Sequence, residues 1–107
     1  MSQFQLSRGI LEMLVLGIAK EKDSYVYEMI KRISSQGEIT EGTVYPLMRR
    51  LTKEGNFTTY LVESDEGPPR KYYRLTDKGH HYFEKLEMEW LQFVNKVDDI
   101  INIAAPK

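Results

Sequence analysis

Between residues 40 and 53 the chain reads Thr40-Glu41-Gly42-Thr43-Val44-Tyr45-Pro46-Leu47-Met48-Arg49-Arg50-Leu51-Thr52-Lys53. Val44, Leu47, Met48 and Leu51 recur at i, i+3, i+4 and i+7, which is one side of a helix. With that stripe turned inward, Thr43, Tyr45, Pro46, Arg49, Arg50 and Lys53 face outward, and Thr40 and Glu41 stand at the helix start. Hydroxyls near the start reach base edges and phosphates, while the arginines read guanine in bidentate fashion or clamp phosphate. The DNA major groove admits a helix of this width. Taken alone, the same face also suits an ordinary helix washed by solvent.

A second group of cations follows a stiff turn. Asp65-Glu66-Gly67-Pro68-Pro69 cannot be helical, and Arg70 and Lys71 come directly after it. Such a turn holds cations away from the body of the domain, where Arg70 suits a narrow minor groove or a phosphate. Arg70 and Lys71 are therefore read as contacts to a DNA backbone, with at least one of Tyr72 and Tyr73 packing across strands. The net charge is only -1, but its distribution is uneven. Arg49, Arg50, Lys53, Arg70, Lys71, Arg74 and Lys78 crowd the middle, whereas from residue 79 three lysines face five acids.

Other chemistries find little support. The chain has no cysteine, hence no disulfide framework and no thiolate metal site. His80 and His81 are adjacent and point to different sides of a helix, which suits neither a metal pair nor a catalytic dyad. There is no glycine-rich phosphate loop. Neither an enzyme nor a bound cofactor or metal is expected. No apolar run approaches the roughly 20 residues that span a bilayer. Met1 to Leu6 lacks the basic and apolar regions of a signal peptide, so a cytoplasmic protein without a membrane partner is expected.

The elements that must position these residues are legible from periodicity. Leu6–Lys20 reads as a nearly all-apolar helix, followed by a break in which Asp23 or Ser24 is a candidate N-cap. A second helix is expected from about Tyr25 to Ser34, and a third from near Thr40 to just before Gly55. Pro46 predicts an irregular or late-starting first turn in the third. Residues 57–62 and 71–75 are rich in aromatic and β-branched types and form a two-stranded hairpin. Thr76 caps a last helix reaching about Ile103, with Gly79 a tolerated weak spot in its first turn. The order is the mainly α winged helix-turn-helix arrangement, α+β in class, with the hairpin as wing and the last helix as an added arm. Residues 1–75 would be the DNA-binding domain and 76–107 the arm, in one compact unit.

Along that last helix Phe83, Leu86, Trp90, Phe93, Val97, Ile100 and Ala104 alternate steps of three and four, as in a coiled-coil seam. A helix of roughly 40 Å is longer than so small a core can cover, so a second copy of the chain is implied. Trp90 lies on the seam. A large flat ring there either packs the dimer core or leaves a slot for a ligand, with Leu11, Val15, Met88 and Phe93 as neighbours.

Glu41-Gly42-Thr43-Val44-Tyr45-Pro46-Leu47-Met48-Arg49-Arg50-Leu51 with Glu54-Gly55 resembles the recognition-helix motif of PadR-family regulators. Gly67-Pro68-Pro69-Arg70-Lys71-Tyr72-Tyr73-Arg74-Leu75-Thr76 with Gly79 is similar to that family's wing motif. The resemblance covers almost the whole chain. It implies a homodimeric winged-helix transcription factor, usually a repressor, on an inverted-repeat operator. It also implies release from DNA by a small ligand, including phenolic acids and planar drugs. The single last helix resembles the compact subfamily, and Tyr25-Val26-Tyr27 resembles its multidrug-responsive branch. Trp90 lies where that branch stacks planar drugs, but Val94 stands where it has an acid, so a cation-binding carboxylate does not carry over. A constitutive regulator without ligand, or a winged helix that binds protein rather than DNA, are the alternatives.

Overall fold

The computed structural model describes residues 7–102. The elements are α1 (Arg8–Glu21), β1 (Ser24–Tyr25), α2 (Val26–Ser34), α3 (Glu41–Lys53), β2 (Phe57–Val62), β3 (Arg70–Leu75) and α4 (Asp77–Ile101). Among the described residues, four helices and an antiparallel sheet give the mainly helical winged-helix architecture that the residue pattern predicts. Leu6, Ala104 and the expected helix end at Ile103 lie outside the described residues.

Three helices close one core. The stripe of α3 meets Leu11, Val15, Leu16 and Ala19 of α1 and Val26, Met29 and Ile33 of α2, all buried. Phe57, Tyr73 and Leu75 seal it from the sheet, with the Phe57 and Tyr73 rings edge to face at 5.6 Å. Helix α1 starts where Ser7 Oγ accepts the amide of Ile10 at 3.3 Å, an N-cap that satisfies one orphan donor.

Three local expectations change. The sheet has three strands in the order β1-β3-β2, because Ser24 and Tyr25 pair with Tyr73 and Tyr72 of β3. The chain is extended there, so Tyr25 rather than Asp23 or Ser24 becomes the N-cap of α2, its amide donating to Glu28 Oε1 at 3.2 Å. Asp23 is engaged elsewhere: it accepts from the Tyr60 hydroxyl at 2.6 Å and from Arg74 Nε at 3.0 Å. A two-residue strand is too short to show any periodicity. The second change concerns Pro46. Helix α3 begins at Glu41 and runs unbroken through it, its first turn closed by Thr40 O, which accepts from Thr43 and Val44 at 3.1 and 3.2 Å. The donor that proline lacks would have gone to the carbonyl of Gly42, an exposed residue within reach of water.

Helix α4 is anchored at its first turn. Thr76 Oγ1 accepts the amide of Gly79 at 3.0 Å and donates to Gly55 O at 2.6 Å, while Thr76 N donates to Asn56 O at 3.1 Å. The third change concerns Gly79, which is no tolerated weak spot. A Cβ there would stand 2.3 Å from Asn56 O and 2.6 Å from Leu75 Cδ1, and the first of these is backbone that cannot step aside. Gly79→Ala is therefore expected to cost about 2–3 kcal/mol, an overpacking penalty, read as a lower urea midpoint at unchanged slope.

The apolar seam of α4 divides in two. Phe83 and Leu86 pack against the core, Phe83 over Gly17 of α1, where a Cβ would come within 2.9 Å of its ring. Farther along, Trp90, Phe93 and Ile100 are exposed and Val97 is half-buried. At 1.5 Å per residue α4 is about 37 Å long. Among the described residues no helix is long and apolar enough to cross a membrane.

Candidate nucleic-acid interface

The burial of Val44, Leu47, Met48 and Leu51 fixes which way α3 presents its other residues. Glu41, Thr43, Tyr45, Pro46, Arg49 and Lys53 are all exposed on it, and Thr40 stands at its start. The hydroxyls of Thr40 and Thr43 lie 3.3 Å apart, a polar pair at the helix N-terminus where the macrodipole favours an anion. Among the described residues Arg49 and Lys53 enter no ion pair, so their charge is directed at solvent.

Arg50 does not belong to that face. Its side chain is half-buried, with Nη2 at 2.9 Å from Glu12 Oε2 of α1 and Nη1 at 3.1 Å from Glu54 Oε1. Burial disfavours its charge, but Glu12 and Glu54 outweigh this and raise its pKa. Residue 50 is one step of about 100° around the helix from Arg49, which carries it from the outer face to the flank facing α1. Glu12 also accepts from the Tyr82 hydroxyl of α4, and this bond, more than burial, pushes the phenol up to about 12.

The wing sorts its cations by strand alternation. Tyr72 pairs with both Tyr25 and Tyr60, their rings 5.4 and 5.7 Å away. Arg70 and Arg74 share this face: the Arg70 guanidinium sits 4.9 Å above the Tyr25 ring and that of Arg74 5.1 Å above Tyr60. The opposite face carries Lys71, Tyr73 and Leu75. Tyr73 is buried beside α3, where burial first, and then Tyr45, raise its pKa while Arg49 opposes them. Lys71 therefore lies on the side of α3, and Arg70 on the other. The sequence gives both residues one role; the strand pleat separates them.

Trp90 borders two adjoining grooves between α1 and α4, the larger also walled by the end of α2 at Arg32 and Ile33. The larger, of about 720 Å³, is lined by Ile10, Met13, Leu14, Gly17, Phe83 and Leu91 among others. The smaller, of about 420 Å³, takes in Leu86 and Phe93. Trp90 and Phe93 are neighbours, ring centroids 6.3 Å apart. Leu11 and Val15 are core residues on the inner side of α1, and Met88 is exposed on another side of α4, so none of the three lines a groove. The α1 residues that do include Ile10, Met13, Leu14 and Gly17, on the side of the helix next to Leu11 and Val15.

Comparison with known proteins places this geometry in a family. The Transcriptional regulator PadR-like family matches residues 15–85. A crystal structure from Streptococcus mutans UA159 is 33% identical, with TM-score 0.86 over 97% of both chains. A PadR-like transcriptional regulator from Bacillus cereus strain ATCC 14579 is 33% identical, with TM-score 0.79, over 88% of this chain and 93% of that one. An uncharacterised protein of Lysinibacillus sphaericus is 33% identical over 92% of this chain and 94% of its own. The family consists of transcriptional regulators, not enzymes. With Arg49 and Lys53 exposed on α3 and a β-hairpin beside it, this chain belongs to the PadR-like family of DNA-binding transcriptional regulators.

Proposed function

We propose that the protein is a homodimeric repressor that occupies an inverted-repeat operator and is released by a small planar aromatic or phenolic molecule bound near Trp90. The observation that carries the DNA part is the outward face of α3, where Thr43, Tyr45, Arg49 and Lys53 stand exposed over a fully buried stripe. Two copies would present two α3 helices to successive major grooves about 34 Å apart. Thr40, Glu41 and Pro46 border the bases, while Lys71 and Arg70 hold the backbone from the two faces of the wing. The partner copy is supported by the exposed seam of Trp90, Phe93 and Ile100, which one domain leaves uncovered. The ligand is supported by the apolar grooves at Trp90, of a size that suits a small aromatic molecule.

Fluorescence anisotropy of DNA from upstream of the protein's own gene, titrated over salt, tests this reading. The expected result is selective binding that weakens steeply with salt, as counterions return to the phosphates. Binding no better than to random duplex at every salt concentration would refute it. Quenching of Trp90, the chain's single tryptophan, by planar aromatics would then report the ligand.

A further inference from the structure

Glu12 is a buried carboxylate on α1 that no step of DNA binding yet uses. Its side chain is 9% exposed, and it joins three helices at one point. Oε2 pairs with Arg50 of α3 at 2.9 Å, Oε1 accepts from Tyr82 of α4, and Arg8 approaches from solvent at 3.9 Å. Arg50 in turn holds Glu54 with both carboxylate oxygens at 3.1 and 3.3 Å. Lys78, in the first turn of α4, donates to the Glu54 carbonyl. The C-terminal half of the recognition helix is thus tied to α4 twice, once through Glu12 and once through Lys78.

A buried ion pair is weak support for stability, since apolar residues of the same volume often serve as well. What it supplies is position. Nη2 of Arg50 meets Glu12 Oε2 as an ion pair rather than as a hydrogen bond, yet a half-buried guanidinium drawn to one carboxylate is held in one place, whereas apolar packing tolerates sliding. Arg49 and Lys53 stand beside Arg50 on the same helix, so the roll that Glu12 sets for Arg50 is the roll at which they meet DNA.

We propose that Glu12 is a positioning residue for DNA reading: through Arg50 it fixes the roll of α3, and through Tyr82 it makes that roll depend on the position of α4. The proposal rests on the DNA-binding reading for its consequence but not for its mechanics. Two conservative variants test it, Glu12→Gln and Tyr82→Phe, each in the full chain.

The mechanical test is hydrogen exchange of the free protein. Tyr82→Phe changes an atom on α4, yet the expected result is several-fold faster exchange at residues 50–54 of α3, with α2 unchanged. Unchanged exchange at 50–54 would overturn the proposal whatever the DNA result. The second test compares the protein's own promoter DNA with random duplex of equal length. Glu12→Gln is expected to lower promoter affinity about tenfold, as the ion pair that holds Arg50 is lost, and random-duplex affinity less than twofold. Equal losses on both DNAs, or none on either, would overturn it, because a merely destabilised protein loses both together. Wild-type protein without promoter preference would refute the DNA reading instead, and leave the exchange result to decide the coupling.

Discussion

Glutamate at both Phe93 and Ile100 is expected to yield a folded monomer whose affinity for operator DNA is lower by about 10²- to 10⁴-fold. Both side chains are exposed in the single chain, Ile100 at 80%, so neither substitution touches the core. In the proposed dimer they lie on the seam, where a buried carboxylate without partner is expensive. The drop in affinity is the loss of bivalency: with one recognition helix in place the second binds at high effective concentration, and a monomer has no second helix. Sedimentation velocity and anisotropy on one sample measure both quantities. A doubly substituted protein that remains dimeric would show that the seam is not the interface. One that becomes monomeric without loss of affinity would show that each chain reads DNA alone.

Arg49→Ala is expected to reduce operator affinity by about 5- to 150-fold and to relax preference at one base position, which corresponds to roughly 1–3 kcal/mol for a bidentate base contact. Its neighbour provides the contrast. Arg50→Ala removes the cation from a carboxylate that is 9% exposed, so it lowers stability in urea and, by releasing the roll of α3, weakens promoter binding more than random-duplex binding. Lys53→Ala weakens binding on all sequences and flattens the salt dependence by about one unit of slope. An Arg49 variant that loses affinity evenly across every operator mutant would place this side chain on phosphate rather than on a base.

The contrast between Arg49 and Arg50 shows how far a sequence carries. Apolar spacing gave the inner stripe of α3 correctly, and a helix assigned inward at Val44, Leu47, Met48 and Leu51 has a determined outer face. Arg50 sits on the boundary of that face, and only a partner decides which way it turns. That partner is Glu12, on another helix, and nothing local in the chain marks it. The Thr76 cap was legible because it depends on its own neighbours. Gly79 was not, because its need for a bare Cα comes from Asn56 O, brought close by the loop before the wing. In the same way a helix apolar nearly all round does not say which side meets the core: Leu11 and Val15 are buried in it, and Ile10, Met13 and Leu14 line the grooves at Trp90. The seam of α4 was readable as a seam, while its division between core and solvent depends on how far α1 reaches.

That division also makes α4 a ruler. Its first turns are clamped to the winged domain through Thr76, Phe83 and Leu86, and its remaining turns project as a stiff rod. In a symmetric pair joined along the rods, the distance between the two recognition helices is set by where on α4 the joint falls. Pivoting by about 5° over the length of α4 displaces its far end by about 3 Å, close to the rise of one base pair. In the proposed dimer, half-site spacing would then be encoded in the length and tilt of a helix that touches no base, and base preference in a helix that has no part in the spacing.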